Sequence, residues 1–366
     1  MNSSAQSLLH PQVSRSSLSD FLQGLAREPL IQPELAGVLK AAVDMLRAES
    51  DVASPFLTVL LRTQGKRIET FKDALLCLSA QTFGDFEVLV LAHDVEPEGL
   101  AEIGHVVANQ VESFRTRIRI IPVEGGSRAV PLNVGLEESA GRYISVFDDD
   151  DLLFANWVES FHEASERSPG RLLRSVVATQ QVHPEKWADG ADGFRTSTWP
   201  TAEYAKKFDQ FDHLVVNHSP FMGWAFPREL FHVLGVRFDE TLDVCEDWDV
   251  IVRGSLLMGV DDVPYLTAIY RRWVGGVSSY NQHSSAEWRS SEARVIDKVN
   301  SLPMLLPAGT MMQVRTWLEF GKPEDMINQL RDIHHSKGWQ ALQIARARMA
   351  PARKIVGRVA RLMGRR

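Results

Sequence analysis

The chain has 366 residues, is 44% hydrophobic and carries a net charge of −7, a composition that allows a buried core without covalent staples. Its two cysteines, Cys77 and Cys245, are too few for a disulfide framework and lack the spacing of a zinc site. The apolar runs are far shorter than the roughly 20 residues that span a bilayer, and the start of the chain shows no signal-peptide pattern. We expect a cytoplasmic protein with no nucleic-acid partner.

Two helices are predicted before residue 55. The polar stretch Ser16–Asp20 is a plausible cap for a helix that begins near Phe21, and a second helix is predicted over Pro33–Ala48. Residues 1–54 therefore form an N-terminal helical extension in this interpretation.

From Pro55 onwards, strand patterns alternate with helix patterns. Strands are predicted at 56–61, 86–91, 117–122 and 143–147, and helices at 68–80, 97–110 and 130–139. Repeated βα units predict an α/β fold with a mostly parallel central sheet flanked by helices. Ligands bind at the carboxyl ends of the strands in such sheets. No dinucleotide-binding G-x-G-x-x-G pattern and no phosphate-binding P-loop follows these strands, which argues against a dinucleotide enzyme and a P-loop NTPase.

The rest of the chain is less regular. Loops rich in Trp and Pro are followed by the acidic segment Glu246–Asp249, an apolar helix over 250–258 and a strand over 268–273. Helix patterns return after about Glu287 and predict a C-terminal helical region over 287–366.

The aspartates Asp148–Asp151 follow directly on the apolar strand that is predicted at 143–147. Carboxylates held so closely repel one another unless a cation neutralises them, and Mg²⁺ or Mn²⁺ bound to carboxylates and substrate phosphates meets that need. The cluster therefore suggests a metal-assisted diphosphate site. A solvated acidic turn or the acidic start of a helix is the alternative.

Five segments between residues 55 and 279 follow one another in an informative order. They are Leu57–Thr63, Ser79-Ala80-Gln81-Thr82 with the strand after it, Gly125-Gly126-Ser127-Arg128 with Leu132-Asn133-Val134-Gly135, Asp148-Asp149-Asp150, and Glu246-Asp247. In this order and spacing they resemble the inverting family 2 glycosyltransferases with the GT-A fold. The resemblance implies a metal-dependent, non-processive enzyme that moves a sugar from a nucleotide diphosphate sugar to a hydroxyl of a glycan, glycolipid or other acceptor, in surface glycan or glycoconjugate assembly.

The resemblance also implies roles for individual residues. Asp150 would bind Mg²⁺ or Mn²⁺, Asp247 would act as the catalytic base, and Glu246 would orient the acceptor. The residues expected at the donor are Arg62, Thr63, Asp94, Arg128, Asp148 and Asp149, where Asp148 contacts the ribose or the sugar and Asp149 supports it. By the same reasoning residues 55–165 form the donor half and 166–286 the acceptor half.

Several alternatives stay open at this stage. The acids at Glu246–Asp249 also suit the first turn of a helix, where the helix dipole favours negative charge. Trp224 and its neighbours Phe221 and Met222 either stack on an acceptor sugar or belong to the core. A sugar nucleotidyltransferase and a catalytically inactive binding or scaffold protein are the competing functions, since Ala92-His93-Asp94 departs from the family's paired aspartates and no His follows Trp273 until His283.

Charge is distributed unevenly along the chain. Eight basic residues and no acid lie between Trp339 and Arg366, which leaves a net charge of −15 on the rest. Apolar residues alternate with these arginines, a pattern typical of a basic amphipathic helix on anionic lipid. Peripheral contact with the inner face of a membrane is therefore one expectation for this tail, and a solvated or dimer-forming helix is the other.

Overall fold

The structure, a computed structural model, describes residues 17–47, 55–188, 192–275, 282–306 and 309–321. The described residues up to 306 belong to one compact unit, and residues 309–321 belong to a second. The basic tail that begins at Trp339 lies outside the described residues.

Two helices precede the sheet, as predicted. Helix α1 spans Leu18–Ala26, and helix α2 spans Pro33–Arg47. Ser17 caps α1, because its side chain accepts a hydrogen bond from the Asp20 backbone N–H while the Asp20 carboxylate accepts from the Ser17 N–H. An ion pair of 2.5 Å between Asp20 and Arg171 joins α1 to the body of the protein.

The first half of the body is a regular βα series. Its elements are β1 (Leu57–Thr63), α3 (Ile68–Ser79), β2 (Phe86–His93), α4 (Pro97–Ala108), α5 (Glu112–Arg115), β3 (Ile118–Val123), α6 (Val130–Glu138) and β4 (Tyr143–Asp148). All four strands run parallel in the order β3-β2-β1-β4. The predicted strands and helices of this segment are thereby confirmed, with boundaries that differ by two residues or fewer.

The second half adds mixed pairing to the same sheet. It contains β5 (Leu152–Leu153), α7 (Trp157–Arg167), β6 (Leu172–Lys186), β7 (Asp192–Thr196), α8 (Gln210–Val215), β8 (Trp224–Pro227), α9 (Arg228–His232), α10 (Glu246–Met258) and β9 (Val260–Trp273). Strand β8 pairs antiparallel with both β4 and β6, while β6 and β9 run parallel. The pairs β5–β9 and β6–β7 are antiparallel as well.

Two long strands were not predicted at their full length. Strand β6 has 15 residues where no strand was expected, and β9 begins at Val260 instead of residue 268. Both contain proline and charged residues, which lower the strand signal of a single sequence. Their mutual pairing over most of their length supplies the stability that the local pattern lacks.

The strands of the first half bury side chains on both faces. Val59 and Leu61 pack into one hydrophobic cluster with α3, whereas Leu60 between them packs into a second cluster with Leu132 of α6. This alternation is the period of a strand covered by helices on both sides. The predicted α/β fold, a central sheet flanked by helices, is confirmed.

Two further helices follow the sheet. Helix α11 spans Ser285–Asn300 and begins with a capping box between Ser284 and Glu287. Helix α12 spans Thr310–Phe320 in the second unit. Over the described ranges, none of the helices combines the length and the apolar character needed to cross a bilayer.

Candidate active site

Arg62 connects the ends of two adjacent strands. It lies opposite Asp148 in the parallel pairing of β1 and β4. Its Nε and Nη2 atoms donate to the two oxygens of the Asp148 carboxylate at 2.8 and 3.0 Å. Such a bidentate pair fixes both side chains in one plane. The register of the sheet therefore determines which acid Arg62 holds.

Glu246 reaches the same arginine from the first turn of α10. Arg62 Nη1 donates to Glu246 Oε1 at 3.1 Å, and Arg128 Nε lies 2.7 Å from the same oxygen. The residue before Glu246, Cys245, has a positive φ of 69°. A non-glycine residue in this region is strained, which is a feature found at functional sites.

The remaining aspartates of the cluster have separate partners. Asp149 Oδ2 accepts a hydrogen bond of 2.5 Å from Thr63 Oγ1. Asp150 Oδ2 accepts one of 2.6 Å from Arg67 Nη1, and the Arg67 guanidinium lies 5.1 Å from the ring centre of Trp273. Asp151 Oδ1 accepts from a backbone N–H at the end of β9 at 2.7 Å. The four aspartates thus fix three different parts of the chain at one edge.

Ion pairs with arginine oppose the effect of burial on the pKa values of Asp148 and Glu246. Burial alone would raise the pKa of Asp148, but the charge of Arg62 outweighs it and holds that pKa below its ordinary value. Arg128 and Arg62 likewise hold the pKa of Glu246 below its ordinary value against burial. Burial favours a lower pKa for Arg62, whereas Asp148 and Glu246 raise it. These three groups remain charged at neutral pH.

The pKa values of the next three aspartates are raised instead of lowered. Burial and the charge of Asp150 raise the pKa of Asp149 to about 7. Burial also raises the pKa of Asp150, although Arg67 opposes it. Burial and the neighbouring Asp150 raise the pKa of Asp151 well above its ordinary value. Burial, reinforced by repulsion between neighbouring carboxylates, therefore favours the protonated form of these three aspartates.

Asp247 lies beside this network. Its Oδ1 accepts from the Trp248 backbone N–H at 2.7 Å, and its Oδ2 accepts from Asn217 Nδ2 at 2.8 Å. Burial and the adjacent Glu246 raise its pKa to about 6. A carboxylate with that pKa is ionised at neutral pH and is able to accept a proton from a hydroxyl.

Asp94 lies at the same edge, after β2, and holds a glycine turn. Its Oδ1 accepts a hydrogen bond of 2.6 Å from the Gly125 N–H, while His93 Nε2 lies 3.1 Å from the Gly125 oxygen. Asp94 has a φ of 51° and is the second non-glycine residue with positive φ in the described part of the chain. It therefore positions the turn that leads to Arg128.

Other residues singled out in the sequence have structural contacts. Trp224, Phe221 and Met222 are buried in the core. Asn133 exchanges hydrogen bonds with the backbone of Phe238 at 3.0 Å in both directions. For Trp224, Phe221 and Met222, the core interpretation therefore matches the geometry.

A family model and several solved structures are similar to parts of this chain. Residues 66–235 match the family model described as Glycosyl transferase family 2. Over these residues the chain is similar to the family 2 glycosyltransferases. No curated protein sequence matches the chain significantly.

Solved structures resemble this chain at low sequence identity. A crystal structure of S. aureus TarS 1–349 in complex with UDP-GlcNAc is 15% identical with a TM-score of 0.50, and the match covers 66% of this chain and 65% of that one. A mannosyltransferase from Pyrobaculum calidifontis in complex with GDP-Man and Mn²⁺ is 15% identical with a TM-score of 0.49, and covers 94% of this chain and 96% of that one. We base the GT-A fold on the family model and the first of these structures.

The carboxylates of this site suit a hard cation. Carboxylate oxygens are the ligands that Mg²⁺ and Mn²⁺ prefer, and the carboxylates of Asp148, Asp149 and Asp150 follow one another at the end of β4. Within the described ranges, no group of three or more His, Cys, Asp or Glu side chains is arranged as a complete metal site. The protein residues therefore fit a cation that takes its remaining ligands from the substrate or from water.

Two residues of the site carry no signal in the sequence. Arg67 follows β1 by four residues and reaches Asp150, 83 positions later. Asn217 lies in an irregular segment and reaches Asp247, 30 positions later. Neither residue belongs to a motif, so only the three-dimensional contact identifies it.

Proposed function

We propose that the protein is a metal-dependent, non-processive inverting glycosyltransferase that moves a sugar from a nucleotide diphosphate sugar to a hydroxyl acceptor. The contact of Arg62 with both Asp148 and Glu246 carries the proposal, because it brings the aspartate cluster and the acidic start of α10 into one site. The match of residues 66–235 to family 2 supports the reaction class. Surface glycan or glycoconjugate assembly is the process proposed for it.

The donor binds, in this proposal, at the carboxyl ends of the parallel strands. Arg62, Thr63, Asp94 and Arg128 surround the nucleoside, Asp148 binds the ribose or the sugar, and Asp149 supports Asp148. Asp150 is the protein ligand for Mg²⁺ or Mn²⁺. When bound, the divalent cation would neutralise the negative charge that develops on the leaving diphosphate.

The acceptor reacts from the opposite side of the sugar. Asp247 takes the proton of the acceptor hydroxyl as its oxygen forms a bond to the anomeric carbon. The bond from that carbon to the diphosphate oxygen breaks with its electron pair, and the nucleoside diphosphate leaves. Attack opposite the leaving group inverts the anomeric configuration. Glu246, held by Arg62 and Arg128 at 3.1 and 2.7 Å, orients the acceptor.

The roles of the larger segments follow from this mechanism. Residues 55–165 form the donor half, residues 166–286 the acceptor half, and residues 287–366 a C-terminal helical region. We place the protein in the cytoplasm, with the basic tail from Trp339 at the inner face of the membrane, where a lipid-linked acceptor is available.

A donor panel tests the proposed activity. The purified protein is incubated with UDP, GDP and dTDP sugars and Mn²⁺, with UDP-GlcNAc as the first probe, and release of nucleoside diphosphate is measured. We expect slow release from at least one donor, with loss of release in Asp150→Ala and Asp247→Asn. Asp243→Asn changes an exposed acid near α10 and is the matched control.

Two outcomes contradict the proposal. Release of pyrophosphate from a sugar phosphate and a nucleoside triphosphate identifies a nucleotidyltransferase instead. Failure to bind any nucleotide sugar of the panel, measured by calorimetry, identifies a protein that has kept the fold without the activity.

A further inference from the structure

Asn217 contacts the proposed catalytic base from outside every recognised motif. It lies between α8, which ends at Val215, and the short helical turn Phe221–Gly223. Its Nδ2 donates to Asp247 Oδ2 at 2.8 Å. The other carboxylate oxygen, Oδ1, accepts from the Trp248 backbone N–H at 2.7 Å. Each oxygen of Asp247 therefore has a neutral donor.

The orientation of the Asn217 amide is determined by a second hydrogen bond. Its Oδ1 accepts from the Ser219 backbone N–H at 3.1 Å. An amide has one acceptor side and one donor side. Because the acceptor side meets an N–H, the NH₂ group must face the carboxylate.

A buried network holds Ser219 in place. Its hydroxyl accepts a hydrogen bond of 2.7 Å from Arg174 Nε and lies 3.0 Å from His213 Nε2. Ser219, Arg174 and His213 are all buried, and Arg174 pairs with Asp262. The segment that carries Asn217 is therefore anchored to β6 and α8, and its amide is oriented before any substrate binds.

We propose that Asn217 is a positioning residue that fixes the orientation of the Asp247 carboxylate and stabilises its ionised form for proton transfer. The inference rests on the proposed role of Asp247 as the base. One Asn217 hydrogen bond leaves further lone pairs on the carboxylate, which can accept from an acceptor hydroxyl. A fixed carboxylate loses less rotational freedom in the transition state than a mobile one.

Several charged groups face Asp247 and contribute to its titration. Glu246 precedes it in α10, Arg62 approaches from β1, and Arg128 approaches from the turn before α6. The Cys245 thiol at the helix start is uncharged at neutral pH, because burial and Asp247 raise its pKa. The variants of Asn217 leave all of these groups unchanged. A change in titration of Asp247 in those variants is therefore attributable to the lost hydrogen bond.

The test compares Asn217→Ala and Asn217→Asp with the parent protein. The Asp247 carboxyl carbon is followed by ¹³C NMR in aspartate-labelled protein, and its signal is assigned by its loss in Asp247→Asn. Removal of one hydrogen bond to a charged group should move the titration midpoint upward by about one pH unit in Asn217→Ala. Asn217→Asp places a second carboxylate at the same point and should move it further. The acid limb of nucleoside diphosphate release should shift by the same amounts.

Val216→Ala, an exposed neighbour in the same segment, serves as the control and should leave both titrations unchanged. The inference is overturned if the Asp247 midpoint in both Asn217 variants stays within about 0.2 pH units of the parent value, roughly the precision of such a titration. Unchanged circular dichroism must show that both variants are folded. Failure of the proposed function is a separate result, because the parent protein itself would then release no nucleoside diphosphate from any donor.

Discussion

Arg62 and Asp148 form a bidentate ion pair, with distances of 2.8 and 3.0 Å, at the point where two adjacent parallel strands end. The same guanidinium reaches Glu246, 184 positions further along the chain. A single buried side chain therefore connects Asp148 at the end of β4 with the start of α10. Lysine has no second nitrogen with which to keep both contacts.

Arg62→Lys should therefore lower both activity and stability. We expect nucleoside diphosphate release to fall by about tenfold or more, because the two acids are no longer held in one geometry. The free energy of unfolding, from urea denaturation, should fall by about 1–3 kcal/mol. Arg119→Lys, at a half-exposed arginine that pairs with Glu138, should change neither quantity. Parent-like turnover in Arg62→Lys would rule out the bridging role.

Arg67 forms an ion pair with Asp150, the residue proposed to bind the cation. The contact of 2.6 Å places a positive charge on the oxygen that a metal would use. Arg67→Gln should therefore raise the affinity for Mn²⁺ in the presence of UDP by about tenfold, measured from free Mn²⁺ in electron paramagnetic resonance. Arg119→Gln is the control. Weaker Mn²⁺ binding in Arg67→Gln would show that Arg67 supports the cation site instead of competing for it.

Burial and Glu246 raise the pKa of Asp247 to about 6, and we expect this pKa to set the acid limb of the proposed reaction. A base works in its ionised form, so turnover should fall as the pH drops through about 6 and stay high above it. Asp247→Asn should lower turnover by about a hundredfold or more and remove this limb. Asp243→Asn should keep the parent profile. An unchanged acid limb in Asp247→Asn would assign the titration to another group.

Asp149 should make the protein less stable at neutral pH than at mildly acidic pH. Its pKa is raised from 3.8 to about 7, so the folded state binds this proton more tightly than the unfolded state does. The stability that this group contributes at low pH is therefore lost as the pH rises from about 4 through about 7. Asp149→Asn should raise the melting temperature at pH 8 by about 2 °C or more. The two proteins should converge near pH 4.

Melting curves at several pH values in a calorimeter check this prediction, with Asp243→Asn as the control. A constant difference between Asp149→Asn and the parent at all pH values would contradict it, since a proton-linked effect must depend on pH.

The basic tail is the proposed membrane contact. Removal of residues 339–366 takes away eight positive charges and no negative one. The full chain should float with liposomes that contain anionic phosphatidylglycerol, and the shortened chain should not. Liposomes of phosphatidylcholine alone should bind neither form. Equal flotation of both forms with anionic liposomes would exclude the tail as the contact.

Part of this arrangement is readable from the sequence because it depends on local patterns. The β1–β4 series alternates apolar strands with amphipathic helices, and its predicted boundaries agree closely with the observed ones. Arg62 and Asp148 both lie at the carboxyl ends of strands in this series, and those ends meet at one edge of a parallel sheet. The order of short motifs indicated a resemblance to the family 2 glycosyltransferases. The family model that matches residues 66–235 supports this resemblance.

The tertiary structure decided the contacts that join distant segments. Strand β6 is stabilised by pairing with β9, 88 positions away at Arg174 and Asp262, and its own residues do not indicate a strand. Arg67 and Asn217 acquire their partners because folding brings separate loops to the same edge. The sequence by itself determined where charge and apolar periodicity lie along the chain, since both are local properties. Which charges neutralise one another was decided by the fold, because that depends on distances in space and on burial from water.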